Sequence, residues 1–168
     1  MTATPAASHR TGPRQHTTKD CFVKQLRAVV QICRRLRVDG ERPAAVMQQL
    51  LPFRGGVVEQ LRAAAVAAID SDWLLPKQNA GIRFGRVAKD LDGFSVDAVL
   101  MAGPGPRHRH PNGEIDLCFA LDGSPRFDGH AEGWVVYGKD TTHVPTVHDG
   151  RMLILYFLPG GAIEFVGG

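Results

Sequence analysis

Apolar and polar positions follow two different periods along this chain, and the change falls near Pro76. After Asp20, the apolar residues Phe22, Leu26, Val29, Val30, Cys33 and Leu36 return every three or four positions with Lys and Arg between them. That spacing lays one stripe along a helix, and Gly40 is placed to stop it. Pro43 suits the first turn of a second, short helix ending near Leu51, where its missing N–H would be unpaired anyway. Gly55 and Gly56 open a third, from about Val57 to Ile69. Its stripe of Val57, Val58, Leu61, Ala64, Ala65, Ala68 and Ile69 is rich in small residues and suits close packing. None of the three carries a recognisable chemical pattern, so they read as scaffold.

Beyond Pro76 short runs of Val, Ile, Leu and Phe recur roughly every ten residues between Gly- and Pro-rich turns. The runs predict strands at Ile82 to Ala88, Phe94 to Met101, Arg107 to His110, Glu114 to Leu121, Trp134 to Tyr137, His143 to Val147, Met152 to Leu158 and Ala162 to Val166. Strands this short and regular imply a sandwich, a jelly roll or a small barrel. The organisation expected is a disordered tail over 1–18, a helical segment over 19–75 packed on the barrel, and a β-barrel over 76–168. Met152 to Leu158 is apolar on both faces, as a central buried strand would be.

Composition narrows the class without changing this picture. With 43% hydrophobic and 22% charged residues, 168 residues suit one globular core of ordinary size. The longest apolar stretch, Met152 to Pro159, is far short of the roughly 20 residues that cross a bilayer. Met1 to Gly12 has no apolar core of a secretory signal, so a cytoplasmic location is expected. The net charge of +3 is mild. Arg27, Arg34, Arg35 and Arg37 cluster on the first helix without aromatic interleaving, which fits a solvated face and no nucleic-acid partner. Cys21, Cys33 and Cys118 are odd in number and show no CxxC spacing, so neither disulfides nor a thiolate metal site is indicated.

The candidate chemistry sits in the β region. His108 and His110 are two apart, so on an extended strand both rings point to one face. Pro111-Asn112-Gly113 makes a turn, and Glu114 resumes the strand four residues after His110. Two imidazoles and a carboxylate on one side of a cavity are what a catalytic divalent metal needs. His143, in Gly138-Lys-Asp-Thr-Thr-His143-Val-Pro, is a natural fourth ligand. Arg107 and Arg109 alternate with the histidines and point away; His9, His16, His130 and His148 read as solvated. If Glu114 faces inward, so do Asp116, Cys118 and Ala120, while Ile115, Leu117, Phe119 and Leu121 face out. An outer face that apolar must be covered, by the helices or by a second copy, which makes a homodimer an expectation.

Glycine, a short spacer, His-x-His, three residues and Glu resembles the first cupin motif, and Gly138 to Pro145 resembles the second. The first glycine is one residue close, Gly123 comes late, and the second motif lacks its proline before the His and its final asparagine. A closer resemblance rests on GIRFGRV (81–87), GFSVD (93–97), HRHPNGEIDL (108–117), RFDGH (126–130), GWVVYG (133–138) and LYFLPGGAIEF (155–165). These strings resemble a small bacterial family that includes 4-hydroxylaminobenzoate lyase. The resemblance implies a mainly β, cupin-type jelly-roll barrel preceded by an N-terminal helical segment. It also implies one divalent metal ion (Fe, Mn, Zn, Ni or Cu) on His108, His110, Glu114 and His143.

The activity implied is release of ammonia from 4-hydroxylaminobenzoate to give protocatechuate, with a small aromatic acid as substrate and no membrane partner. A Lewis acid would stabilise the departing N-bound oxygen. Glu114 or Asp116 would move protons. A guanidinium, Arg83 or Arg86, would fork the substrate carboxylate, and their odd spacing turns only one inward. Tyr137, Tyr156 and Trp134 are candidates to stack on the ring or donate to it, with Tyr156 the catalytic one. The alternatives are another metal-dependent cupin enzyme of aromatic-acid or benzoyl-CoA catabolism, a dioxygenase or isomerase, or a non-catalytic ligand-binding cupin.

Overall fold

A computed structural model describes residues 18–167. Three helices come first: α1 (Lys19–Cys33), α2 (Pro43–Leu50) and α3 (Gly56–Ala67). The strands follow as β1 (Lys77–Asn79), β2 (Ile82–Leu91), β3 (Phe94–Met101), β4 (His108–His110), β5 (Glu114–Phe127), β6 (Gly133–Tyr137), β7 (Thr141–His143), β8 (Val147–Pro159) and β9 (Glu164–Phe165). They form a six-stranded sheet in the order β1-β2-β3-β8-β5-β6, faced by a three-stranded sheet β7-β4-β9. This is the expected mainly β, cupin-type arrangement with a helical segment before it. The tail expected over 1–18, with His9 and His16, lies outside the described residues except for Thr18, whose hydroxyl caps α1 by accepting from the Cys21 amide at 3.3 Å.

The helices pack on one face of the large sheet. Phe22, Leu26, Val29 and Val30 of α1 and Val58, Leu61 and Ala65 of α3 share a core with Ile115, Leu117 and Phe119 of β5 and Leu153, Leu155 and Phe157 of β8. Burying those six strand side chains at about 2 kcal/mol each is worth on the order of 10 kcal/mol, as much as the whole net stability of a domain. The sheet cannot leave that face wet, and the chain's own helices cover it. That face therefore does not by itself require a second copy. No helix among the described residues is long and apolar enough to cross a membrane.

On the opposite face Met101, Cys118, Phe127, Val135, Val147, Met152, Ile154, Tyr156 and Leu158 line the barrel interior. β8 lies between β3 and β5 and feeds both cores alternately, which is why it is apolar at every position from Met152 to Leu158.

Several boundaries differ from the sequence pattern, and three show why. The stripe of α1 continues through Leu36, but the helix ends at Cys33. The following segment is drawn to the barrel instead: the Val38 side chain lies against Gly113, and the Asp39 carboxylate accepts from the Lys139 amide at 2.8 Å. The strand expected over His143 to Val147 is Thr141–His143, so His143 ends it. Pro145 has no N–H for a ladder, and Val147 opens β8. β5 runs on to Phe127 through two irregularities in its pairing with β8. There Gly123 (φ +69) passes so close to Asp149 that a Cβ would meet its carbonyl oxygen. The irregularities carry the end of β5 toward the small sheet, and β1, polar throughout, has no hydrophobic signal to find it by.

Candidate metal centre

β4 and β7 pair antiparallel with His108 opposite His143 and His110 opposite Thr141, so ladder register brings the distant His143 beside the His-x-His pair. The turn at 111–113 closes with the Gly113 amide donating to the His110 carbonyl at 3.2 Å. Gly113 has φ +81, and a Cβ there would strike both Tyr137 O and the Val38 side chain at 2.8 Å. Only glycine fits the turn that returns Glu114 to the site. The ligand atoms of His108, His110, Glu114 and His143 all lie within 4.8 Å of one another. His143 Nε2 is 3.0 Å from His110 Nε2 and 3.1 Å from His108 Nε2. Two nitrogens about 2.1 Å from one ion and at right angles to each other would stand about 3.0 Å apart.

The outer nitrogens decide what this cluster can hold. His108 Nδ1 lies 2.9 Å from the Pro106 carbonyl, which can only accept, so Nδ1 carries the proton. His143 Nδ1 lies 2.8 Å from the Asp128 carboxylate and is protonated for the same reason. In the neutral rings both Nε2 atoms then carry lone pairs, facing each other at 3.1 Å. Two lone pairs so placed repel unless a proton on one of them or a metal ion stands between them. Burial, then the neighbouring His143, pushes the His108 pKa down to about 4. Burial and the neighbouring histidines push His110 to about 3. Both rings are thus kept in the neutral, ligating form.

Glu114 and Asp116 are wholly buried; no other residue donates to their four oxygens, and the two carboxyls have only each other as hydrogen-bond partners. Burial pushes both carboxyls well above their ordinary range, and for Glu114 the neighbouring Asp116 pushes further. His110 Nδ1 stands 3.3 Å from Glu114 Oε2. Burying two carboxyls side by side is costly and keeps them protonated, whereas a cation beside Glu114 would favour its ionised, ligating form. The four residues therefore fit a divalent metal.

The other sequence candidates separate by sheet face. Asp116 and Tyr156 are register partners on the interior face, and the Tyr156 hydroxyl points at Met101 Sδ, 3.8 Å away. Arg86 pairs with Asp97, which in turn pairs with Tyr156, so Arg86 is the inward arginine of the two. Its Nε and Nη2 donate to the two Asp97 oxygens at 2.8 and 3.0 Å. Arg83 faces the helices, donating to the Ile69 carbonyl and to Asp70. Trp134, opposite Leu117, also faces the helices; its indole N–H donates to the Leu51 carbonyl at 2.8 Å, which takes it away from the interior. The Tyr137 ring lies 4.4 Å from that of His143, and its hydroxyl donates to Asp128 at 2.6 Å. Arg109 faces out to Glu164 and Asp140, and Arg107, His130 and His148 are exposed.

Asp128 is the residue the sequence pattern passes over. Asp-Gly after a strand reads as an ordinary turn, and its only other signal is its place in the RFDGH string. Ser95, whose buried hydroxyl also lacks a partner on the interior face, was equally silent. A groove of about 460 Å³ lined by Arg34, Arg37, Val38, Asn112, Lys139 and Pro159 contains none of the ligands. Converging side chains locate the centre; this groove does not.

Comparison with known proteins bears on the family and the fold. The family profile of 4-hydroxylaminobenzoate lyase (PnbB) matches residues 30–165. The 4-hydroxylaminobenzoate lyase of Nocardioides sp. (strain LMS-CY) is 29% identical over 91 residues, covering 49% of this chain and 54% of that protein. That of Pseudomonas putida is 29% identical over 83 residues, covering 47% of each. The chain thus spans about half the length of the curated relatives it matches. Among solved structures, one reported with the DMSP lyases RdDddP and RnDddQII is 13% identical over 89% of this chain and 100% of its own, with a TM-score of 0.52, a likeness of fold. An RmlC-like cupin protein from Ralstonia eutropha JMP134 is 19% identical over 56% of this chain and 66% of its own, with a TM-score of 0.43.

Proposed function

The chain belongs to the 4-hydroxylaminobenzoate lyase family, and from that premise we propose that it is a metal-dependent lyase converting 4-hydroxylaminobenzoate, or a related aromatic hydroxylamine, to protocatechuate and ammonia. The observation that carries the metal half of the proposal is the pair of Nε2 lone pairs of His108 and His143 facing each other at 3.1 Å beside His110 and the buried Glu114. Overall the reaction takes up one water and releases one ammonia; the N–O, the C–N and one ring C–H bond break, two ring C–O bonds form, the freed hydrogens go to nitrogen, and no external oxidant is required. A divalent ion on His108, His110, Glu114 and His143 would supply the Lewis acidity that such N–O cleavage needs.

The chain's own residues supply the rest. Arg86 Nε and Nη2 are held by Asp97, and the remaining Nη1 is offered to the substrate carboxylate at the partly exposed edge of the interior face. Asp116, buried and paired only with the carboxyl of Glu114, would hand a proton to the departing nitrogen and take one from the attacking water. Tyr156, between Asp97 and Asp116 in the register, packs against the ring and borders the path between anchor and acid. Asp116 and Tyr156 are buried away from bulk water, which strengthens charge interactions around them.

The test is incubation of metal-loaded protein with 4-hydroxylaminobenzoate while following protocatechuate and ammonia. Equal amounts of the two products, with no oxygen consumed, are expected. No product from folded, metal-loaded protein removes this substrate. Turnover of an aromatic acid with oxygen uptake would move the assignment to a dioxygenase.

A further inference from the structure

Asp128 lies outside the ligand set, yet three donors converge on its carboxylate from three different segments. Its Oδ2 accepts from His143 Nδ1 at 2.8 Å and from the Tyr137 hydroxyl at 2.6 Å, and its Oδ1 accepts from the Thr146 amide at 2.7 Å. Its own amide donates to the Thr146 carbonyl at 2.9 Å, which locks the turn after β5 to the segment between β7 and β8. Asp128 has φ +47, in the left-handed region that Asp and Asn tolerate. Both oxygens are thus filled by donors alone, and a carboxylate is the one side chain of this size with acceptors on both sides.

We propose that Asp128 is a positioning residue of the metal centre, fixing His143 in the Nδ1–H tautomer and holding its ring so that Nε2 is presented to the ion, with Tyr137 bracing the carboxylate. This rests on the metal reading of the site. Tyr137 is thereby a brace for the centre and not a donor to substrate, since its hydroxyl is committed to Asp128. Its ring, 16° from parallel to His110 and tilted on His143, fixes the two imidazoles together.

Asn at 128 separates this role from a merely structural one. It suits the left-handed backbone at least as well as Asp, and its single carbonyl oxygen can still accept from the Thr146 amide. Its NH2 would then face two donors. The tyrosine hydroxyl can rotate to accept, but His143 can accept only by moving its proton from Nδ1 to Nε2, the atom needed for the ion. Losing an outer partner of this kind lowers metal affinity by about 10–100-fold.

The experiment titrates metal-free wild-type and Asp128→Asn protein with Co2+, reading ligand-field absorption, and compares their thermal melts. A loss of about 10–100-fold in Co2+ affinity at an unchanged metal-free melting temperature is expected. Equal affinities overturn the proposal while leaving the metal site intact. Wild-type protein that binds no Co2+, Zn2+, Mn2+, Ni2+ or Fe2+ overturns the metal reading and this inference with it. Long-range 1H–15N spectra of metal-free wild-type protein decide the matter without a variant: His143 protonated at Nδ1 supports the proposal, and His143 protonated at Nε2 overturns it.

Discussion

Asp116 and Leu117 are neighbours on β5 and neither has any solvent exposure, yet they end in opposite environments. Leu117 faces the helices and shares with Phe22, Leu61 and Leu155 a core built of apolar side chains. Asp116 faces the barrel interior, where its carboxyl and that of Glu114 have only each other and the Ser95 hydroxyl has no partner. One face is complete with the chain alone, whereas the other is complete only with something added. The contrast separates the side of the sheet that makes the protein stable from the side that holds the candidate site, because poorly partnered buried polarity costs stability.

Substitutions can break or sharpen that contrast. The largest effect is expected at the ligands: His108→Ala or His110→Ala should lower metal affinity by more than about 100-fold, beyond what loss of an outer partner costs. Elemental analysis of protein purified without chelator measures this, and equal metal in variant and wild type would overturn the site. Asp116→Asn should keep the metal and the fold but lower the turnover number by about 10²-fold or more, the usual contribution of a positioned acid or base. On the other face, Phe119→Ala should cost about 3–5 kcal/mol in urea unfolding while the folded fraction keeps its metal. Phe119 stacks on Phe53 and lies beneath the Arg62 guanidinium, so its removal empties the helix–sheet core alone.

The arginines give the smallest pair of effects. Arg86→Ala should raise KM for a carboxylated substrate by about tenfold, the worth of one charged hydrogen bond, and have no such effect on an analogue without the carboxylate. Arg83→Ala removes an exposed pair with Asp70 and should leave KM unchanged, with stability altered by less than about 1 kcal/mol. Equal KM effects from both would erase the distinction between the two faces.

Much of the fold and the centre of the site can be read from local pattern. The two-residue spacing of His108 and His110, the parity of Glu114 and Asp116 against Ile115 and Leu117, and the apolar run of β8 are consequences of strand geometry that no distant contact alters. Candidates that depend on which side of the sheet is covered were harder. Trp134 and Arg83 carry suitable chemistry, but their parity turns them toward the helices, and nothing near them in sequence says where the helices lie. Asp128 looks like any turn residue until β5 bends far enough to bring it to His143, fifteen positions away.

The sequence by itself determined the periods, and hence the element types, the shared face of the two histidines and the alternation of β5 and β8. These follow from backbone geometry repeated residue by residue. Only the tertiary structure decided that β7 pairs with β4 so that His143 meets His108. It alone turned Arg86 and not Arg83 inward, ended α1 at Cys33 and bound His143 to a carboxylate in a turn. Register between distant strands is set by burial summed over whole faces, a quantity no short window of sequence contains.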